Sequence, residues 1–497
     1  MFLFLHRPSR AAPRIAERGS TPPSLVPRAL TLAAALALTG CASLAPDGGE
    51  RDVQSLVGGN AILGDATPRA APDAASRQAV DALLAQPLDA QAAVRIALAN
   101  GPRMQEAFAI LQLSDADRVQ AASLPNPLFA FGRLREGREL EIERAIGFNV
   151  LGLLTLPWQA RWAGQRHEVA KLQAAQSVLQ LAADTRRAWV RAVAAQQAVV
   201  YLRDAKSATE AGAELAERMA RVGNWSALQR TREQLLHADA AAQLARAEQA
   251  ALSAREQLTR LLGLSAAQAN YRLPDRLPPL PVSMPALADV QASALRDRLD
   301  VRAAQAQTAA TADSLGLTHA TRFVDALGIG GVRNTTFEND ADGSRRTQQG
   351  FELSLPIPLF DWGQARSARA EALYRQSAAR VRATGLLAAS EAREAYGGWR
   401  SAWDIAQRYQ TEVLPLRQQV NEQMVLRYNG MLASVWELLA ETRASMLAVN
   451  AAMDAQRDFW LADTDLQFAL TGSSPAGVNA LQSPGDSAAL PSTAGAH

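Results

Sequence analysis

A chain of 497 residues, 48% hydrophobic but only 5% aromatic, can bury a large core yet has few rings to fill a thick one, and its alanine-rich stretches favour long helices packed at close range. Its 51 basic and 49 acidic residues give a formal charge of +2, and five arginines and one glutamate of that total lie before Cys41. A chain cleaved at Cys41 is near neutral, which removes any electrostatic case for binding nucleic acid.

Arginines at 7, 10, 14, 18 and 28 precede the apolar run Ala29 to Leu38, which is too short to span a bilayer and reads, over 1–40, as a signal peptide. The run ends in Leu38-Thr39-Gly40-Cys41, and Cys41 is the only cysteine, so no internal disulfide exists. This stretch resembles the lipobox of bacterial lipoproteins; a plain small-residue cleavage site is the alternative. The resemblance implies that Cys41 becomes an acylated N-terminus held in lipid, and the non-acidic Ala42 implies the outer membrane. Residues 41–75, rich in Ala, Gly, Asp and Pro without periodicity, are expected to be a flexible lipidated tether. Helical patterning runs from 76 to 122 with a break at Asn100-Gly101-Pro102, and Pro125-Asn126-Pro127 ends it.

Next, strands are predicted over 128–134 and 140–155 around a turn at Glu136-Gly137, with Leu140, Ile142, Ile146, Phe148 and Val150 at period two and only Arg144 breaking the pattern. A helix of 161–222 follows, on the order of 90 Å long at 1.5 Å per residue. Gly223-Asn224 breaks it, a return helix runs over 227–262, and Gly263 stops it. After a proline-rich linker over 264–285 the same order recurs within 286–472: helical residues, strands over 323–337 and 347–355, a helix over 361–428, a break at Asn429-Gly430, and a return helix over 431–470. In the last strand Phe351, Leu353 and Leu355 share one face, Pro356 and Pro358 end the ladder, and Asp361 with Gln364 has the spacing of a capping box. The first repeat occupies 76–263, and its landmarks Pro157, Gly223 and Gly263 recur at Pro358, Gly430 and Gly472 after 201, 207 and 209 residues, which marks an internal duplication. Residues 473–497 read as a disordered tail.

No later stretch has the length and hydropathy of a transmembrane helix, so any spanning falls to strands. Four amphipathic strands are too few to close a barrel in lipid, and copies must combine: eight strands as a dimer, twelve as a trimer.

Several motifs together resemble the TolC family of outer-membrane efflux proteins. They are Arg298-Leu299-Asp300-Val301, Pro358-Leu359-Phe360-Asp361-Trp362-Gly363, and Arg427-Tyr428-Asn429-Gly430 with Val435, Leu438, Leu439 and Ala440; Gly223 with Ser226 and Leu228 is the first-half counterpart. The resemblance covers about 78–471. It implies a mainly α fold with a membrane β-barrel part: a homotrimer whose twelve-stranded barrel in the outer membrane continues as an α-helical periplasmic tunnel. It also implies partners, a periplasmic adaptor protein and an inner-membrane pump, in a tripartite efflux or type I secretion system carrying drugs, heavy-metal ions or peptides. Such a conduit performs no chemistry and needs no cofactor.

The inner-tip turns Gly223, Asn224, Asn429 and Gly430 are candidate docking sites, with relief of the backbone at a helix reversal as their plain reading. Glu437 and Glu441, one helical turn apart, are a candidate gate; as solvated carboxylates they need no role. Trp158, Trp162 and Trp362 are candidate membrane-interface aromatics, with packing of the strand-helix junction as the alternative. Met424 and Met431, like Met446 and Met453, are seven apart; thioethers suit Cu(I), and helix-seam packing gives the same spacing. His167, His237 and His319 have no ligand spacing, and no phosphate loop, HExxH or nucleophile elbow occurs, so neither a metal site nor an enzyme is expected. A lipid-anchored periplasmic adaptor also uses helical hairpins, but one hairpin rather than a duplicated pair.

Overall fold

Strand hairpins and long helical hairpins alternate along the chain, which the computed structural model describes over residues 43–71, 73–137, 139–283, 289–324, 326–338 and 344–474. The structure below lies in the unit that begins at Leu44. The predicted signal over 1–40, the lipidation site Cys41, and residues 475–497 of the tail lie outside the described residues.

The flexible tether expected over 41–75 is corrected from Leu44 onward. Helix α1 (Glu50–Val57) and the turns after it bury Val53, Val57, Ile62 and Leu63 in the main core. The Ala45 amide donates to Asp115 Oδ2 at 2.7 Å, the Ala70 amide to Glu50 Oε1 at 2.7 Å, and Asn60 Nδ2 to Thr471 Oγ1 at 2.8 Å. A few apolar residues that meet a ready surface outweigh a composition typical of loops. Helices α2 (Ala74–Leu84) and α3 (Ala90–Asn100) begin at Asp73 and Asp89, whose carboxylates each accept a backbone N–H at 2.6 Å, and α4 (Pro102–Ala122) has proline in its first turn.

Strands β1 (Leu128–Glu136), β2 (Glu139–Asn149), β3 (Gly328–Glu338) and β4 (Arg345–Ser354) form one antiparallel sheet in the order β1-β2-β3-β4. The β2–β3 pairing joins the two repeats, and β1 and β4 are left as edges. Helix α5 (Val150–Arg221) follows β2 without a loop, so the strand predicted over 140–155 ends at Asn149 and Pro157 sits inside the helix. The reason is local: Asn149 Oδ1 accepts the Gly152 amide at 2.8 Å and starts the helix upstream of the proline, which then removes only one ladder bond. At 72 residues α5 is about 108 Å long. Helix α6 (Ala227–Leu262) runs back beside it and stops at Gly263, whose φ is 65°.

The second repeat begins with α7 (Val290–Asp297) and α8 (Leu299–Ala320), and β3 starts at Gly328, five residues later than the alternation suggests. After β4 the chain loops outward, and α9 (Gln364–Arg408) starts behind Gly363 rather than at a capping box on Asp361. Asp361 Oδ1 instead accepts the Gly363 amide at 2.8 Å, and Gly363 takes φ 72°, where a Cβ would lie 2.5 Å from the Arg322 carbonyl oxygen. The helix expected over 361–428 is interrupted by a π turn, Tyr409–Val413, before α10 (Leu414–Asn429). Pro415 supplies no amide for the ladder there, and the wider turn absorbs that loss. Helix α11 (Val435–Thr471) returns along α9, α10 and α5.

Small side chains let these rods pack closely. Ala174, Ala175, Ala182 and Ala183 of α5 are buried in the main core, and Ala406 and Ala455 flank Trp399 and Phe459 between α9 and α11. The proline-rich linker is pinned along the outside: Gln456 and Trp460 donate to the Pro278 carbonyl at 2.7 and 3.0 Å, and Trp403 donates to that of Pro281 at 3.2 Å. Two buried polar knots hold the rods, the first within the second repeat and the second between the repeats. Arg298, fully buried, donates to Asp300 at 2.6 and 3.0 Å and to Glu391 at 3.0 Å. Burial disfavours its charge, but the two carboxylates outweigh that and raise its pKa. In the second knot Asp463 accepts from Trp399 at 3.1 Å and Gln467 at 2.8 Å, with Arg186 at 3.8 Å.

Candidate functional site: sheet face and inner tips

Alternation along each strand and the observed register sort the sheet into unlike faces. Phe129 pairs with Ile146, Phe148 with Ile329, and Ile329 with Leu353, so these side chains share one face. Phe129, Phe148, Phe351 and Leu353 are exposed there. The opposite face carries Glu141, which accepts from Asn334 Nδ2 at 3.2 Å, with Glu143 and Glu352. The apolar surface continues past β4 through Ile357, Leu359 and Phe360, the last 98% exposed. No helix among the described residues is long and apolar enough to cross a membrane.

Of the three tryptophans at the strand-helix junctions, Trp158 and Trp362 are about half exposed, and Trp162 is partly covered, with the Arg166 guanidinium 5.2 Å from its ring centroid. Two of the rings are thus open and one is partly covered.

At the far end of the rods lie the two turns. Gly223 has φ 82° with open space where a Cβ would point, and the Asn224 and Trp225 amides both donate to the Met219 carbonyl at 3.0 and 3.3 Å. Ser226 then caps α6 in a reciprocal box with Gln229. The second turn departs from the sequence reading. Gly430 has φ −81°, and the left-handed residue is Met431, at φ 58° and 94% exposed. The Met431 amide bonds the Tyr428 carbonyl at 3.0 Å and the Leu432 amide that of Arg427 at 2.8 Å, which closes the helix one residue beyond the glycine.

The predicted gate residues have separate occupations. Glu437 completes the capping box of α11, accepting the Ser434 amide at 2.7 Å, and that bond holds its pKa below the usual carboxylate range. Glu441 pairs with Arg417 of α10 at 2.9 Å and is mostly buried. Both carboxylates thus have partners within the chain.

Sequence reasoning missed what joins the two tips. The Trp225 and Trp436 rings stack with centroids 4.6 Å apart at 19°, fastening the turn of one repeat to that of the other. Behind them Arg443 of α11 pairs with the buried Glu233 of α6, and Leu439 reaches the Gly212 position of α5. The signal available was two tryptophans beside the two breaks, at positions that differ by one turn of helix between the repeats. Among the described residues no group of three histidine, cysteine, aspartate or glutamate side chains could hold a metal.

The arrangement is a duplicated strand hairpin and helical hairpin, with the sheet at one end of long rods. No family model matches the sequence, and no curated protein does. Solved structures do. The chain is similar to the Campylobacter jejuni CmeC outer membrane channel at 14% identity, covering 79% of this chain and 87% of that one with a TM-score of 0.65. The outer-membrane channel OprN gives 18%, 83% and 96%, with a TM-score of 0.65. The open state of the Neisseria gonorrhoeae MtrE outer membrane channel gives 18%, 77% and 89%, with 0.63. The fold is therefore that of the TolC-type outer-membrane channels.

Proposed function

We propose that the protein is the outer-membrane channel of a tripartite efflux or type I secretion system, a passive conduit for substrates delivered by an inner-membrane pump through a periplasmic adaptor. One observation carries the reading: an amphipathic four-stranded sheet with two unpaired edges stands at one end of rods about 100 Å long. In lipid those edges need partners, and three copies supply a closed twelve-stranded barrel. A lipid-anchored adaptor would have no use for an exposed apolar sheet face of this kind.

The inner turns suit docking, since Val222, Leu228, Met431 and Leu432 are exposed beside Gly223, Asn224, Asn429 and Gly430. Acylation of Cys41 would hold the chain to the outer membrane beside its barrel, and a conduit of this type leaves the choice of drug, metal ion or peptide to the pump. The test is extraction of the full-length protein from outer membranes, followed by electrophoresis with and without heating. A trimer that dissociates on boiling, with cross-links from Met431→Cys to a periplasmic protein, is the expected result. A soluble monomer after removal of the lipid anchor would overturn the reading.

A further inference from the structure

We propose that the apolar face of the sheet is also a binding surface for membrane lipids with anionic phosphate headgroups, centred on Arg144 and Arg333. The inference rests on the barrel reading above. Cross-strand partners share a face, and Arg144 faces Phe131 on one side and Arg333 on the other. Arg133 pairs with Ile142, Arg135 with Leu140, and Arg345 with Phe337, whose ring centroid is 5.6 Å from the Arg345 guanidinium. All five arginines therefore lie on the face of Phe129, Phe148 and Phe351. Among the described strand residues that face has no acidic residue, while the opposite face carries Glu136, Glu139, Glu141, Glu143, Glu338 and Glu352 against a single Arg346.

This sorting has a physical cost that calls for a partner. Arg144 and Arg333 are directly opposed like charges, and among the described residues no ion pair joins any of the five arginines to a carboxylate. They are also placed by depth. Phe148, Ile329 and Leu353 occupy the end of the sheet near the helices, and every arginine lies toward the hairpin turns, starting four residues, about 13 Å along the strand, beyond Phe148. An apolar band topped by guanidinium groups matches hydrocarbon topped by headgroup phosphate, and paired guanidinium forks suit phosphate oxygens. On β3, between Arg333 and the Phe337 that pairs with Arg345, Thr335 is fully buried, and its Oγ1 has no hydrogen-bond partner.

The experiment places the purified trimer in phosphatidylcholine membranes and measures, by spin-label spectroscopy, its association with spin-labelled phosphatidylglycerol and with an uncharged spin-labelled galactolipid. The wild-type protein should prefer phosphatidylglycerol, less so at high salt. An arginine near an anionic headgroup contributes about fivefold, so Arg144→Gln/Arg333→Gln should reduce the preference by about 25-fold. Arg345→Gln, nearer the hairpin turn, should reduce it by about fivefold on the same basis, and Arg346→Gln on the other face should leave it unchanged. Equal association of the two lipids with the wild type, or a full preference in the double variant, overturns the proposal. Conductance of the same preparations separates the two readings: conducting channels without lipid preference sink this inference alone, and absence of both trimer and conductance sinks the channel reading and this one with it.

Discussion

Trp436→Ala should loosen the inner end of the helical rods. Truncating a fully buried tryptophan costs about 3–5 kcal/mol, and both rings of the pair are only half-buried, so a total near 2 kcal/mol is expected. The part specific to the stack, with rings 4.6 Å apart at 19°, is about 0.5–1.5 kcal/mol. Hydrogen exchange at the amides of Asn224, Trp225, Met431 and Leu432 reads this directly, because these amides close the two turns. Measured across wild type, Trp225→Ala, Trp436→Ala and the double variant, the opening free energies should show coupling of about 1 kcal/mol, roughly fivefold in local opening. In a planar bilayer the single variants should spend more time in conducting states. Additive effects within experimental error would mean that the stack fastens nothing, and the account of how the repeats meet would be wrong.

Three further outcomes follow from single contacts. Met431→Gly removes a left-handed non-glycine residue and should stabilise the second turn by about 1 kcal/mol, seen as slower exchange of the Leu432 amide. Arg298→Met leaves Asp300 and Glu391 without their buried cation and should cost about 3–5 kcal/mol, measured as a lower unfolding temperature of the detergent-solubilised protein. Asp115 is buried, which works against its charge, but the Ala45 amide and Arg118 outweigh this and hold its pKa below the usual carboxylate value. Its contribution is therefore complete above the unfolded-state pKa and is lost as pH falls through the lower folded value. The segment from Ala45 to Val57 should release in acid, with Asp115→Asn weakening it already at neutral pH; proteolysis that is equally slow at every pH would contradict this.

Much of the architecture could be read from the sequence because its signals are local. Period-two alternation in Leu140, Ile142, Ile146 and Phe148 marks a strand whatever surrounds it, and Gly223 and Gly263 break helices in every context. The errors arose where a distant or competing contact decides. Pro157 reads as a stop, but the cap at Asn149 had already started the helix. Residues 44–71 read as a tether because the surface that receives Val53 and Ile62 is built by segments much later in the chain. At the inner end Ser434, three residues before Glu437, was legible as the spacing of a capping box, whereas Arg417, 24 positions from its partner Glu441, was not. The Trp225–Trp436 stack joins residues 211 positions apart, and no periodicity reports such a pair.

The central claim is that copies of this chain close their open sheets into a conducting barrel. It is tested most directly by single-channel recording from the purified full-length protein, with its stoichiometry measured in the same preparation. The account predicts a trimer giving discrete, low-conductance openings. A folded monomer that gives no openings in a bilayer would contradict it.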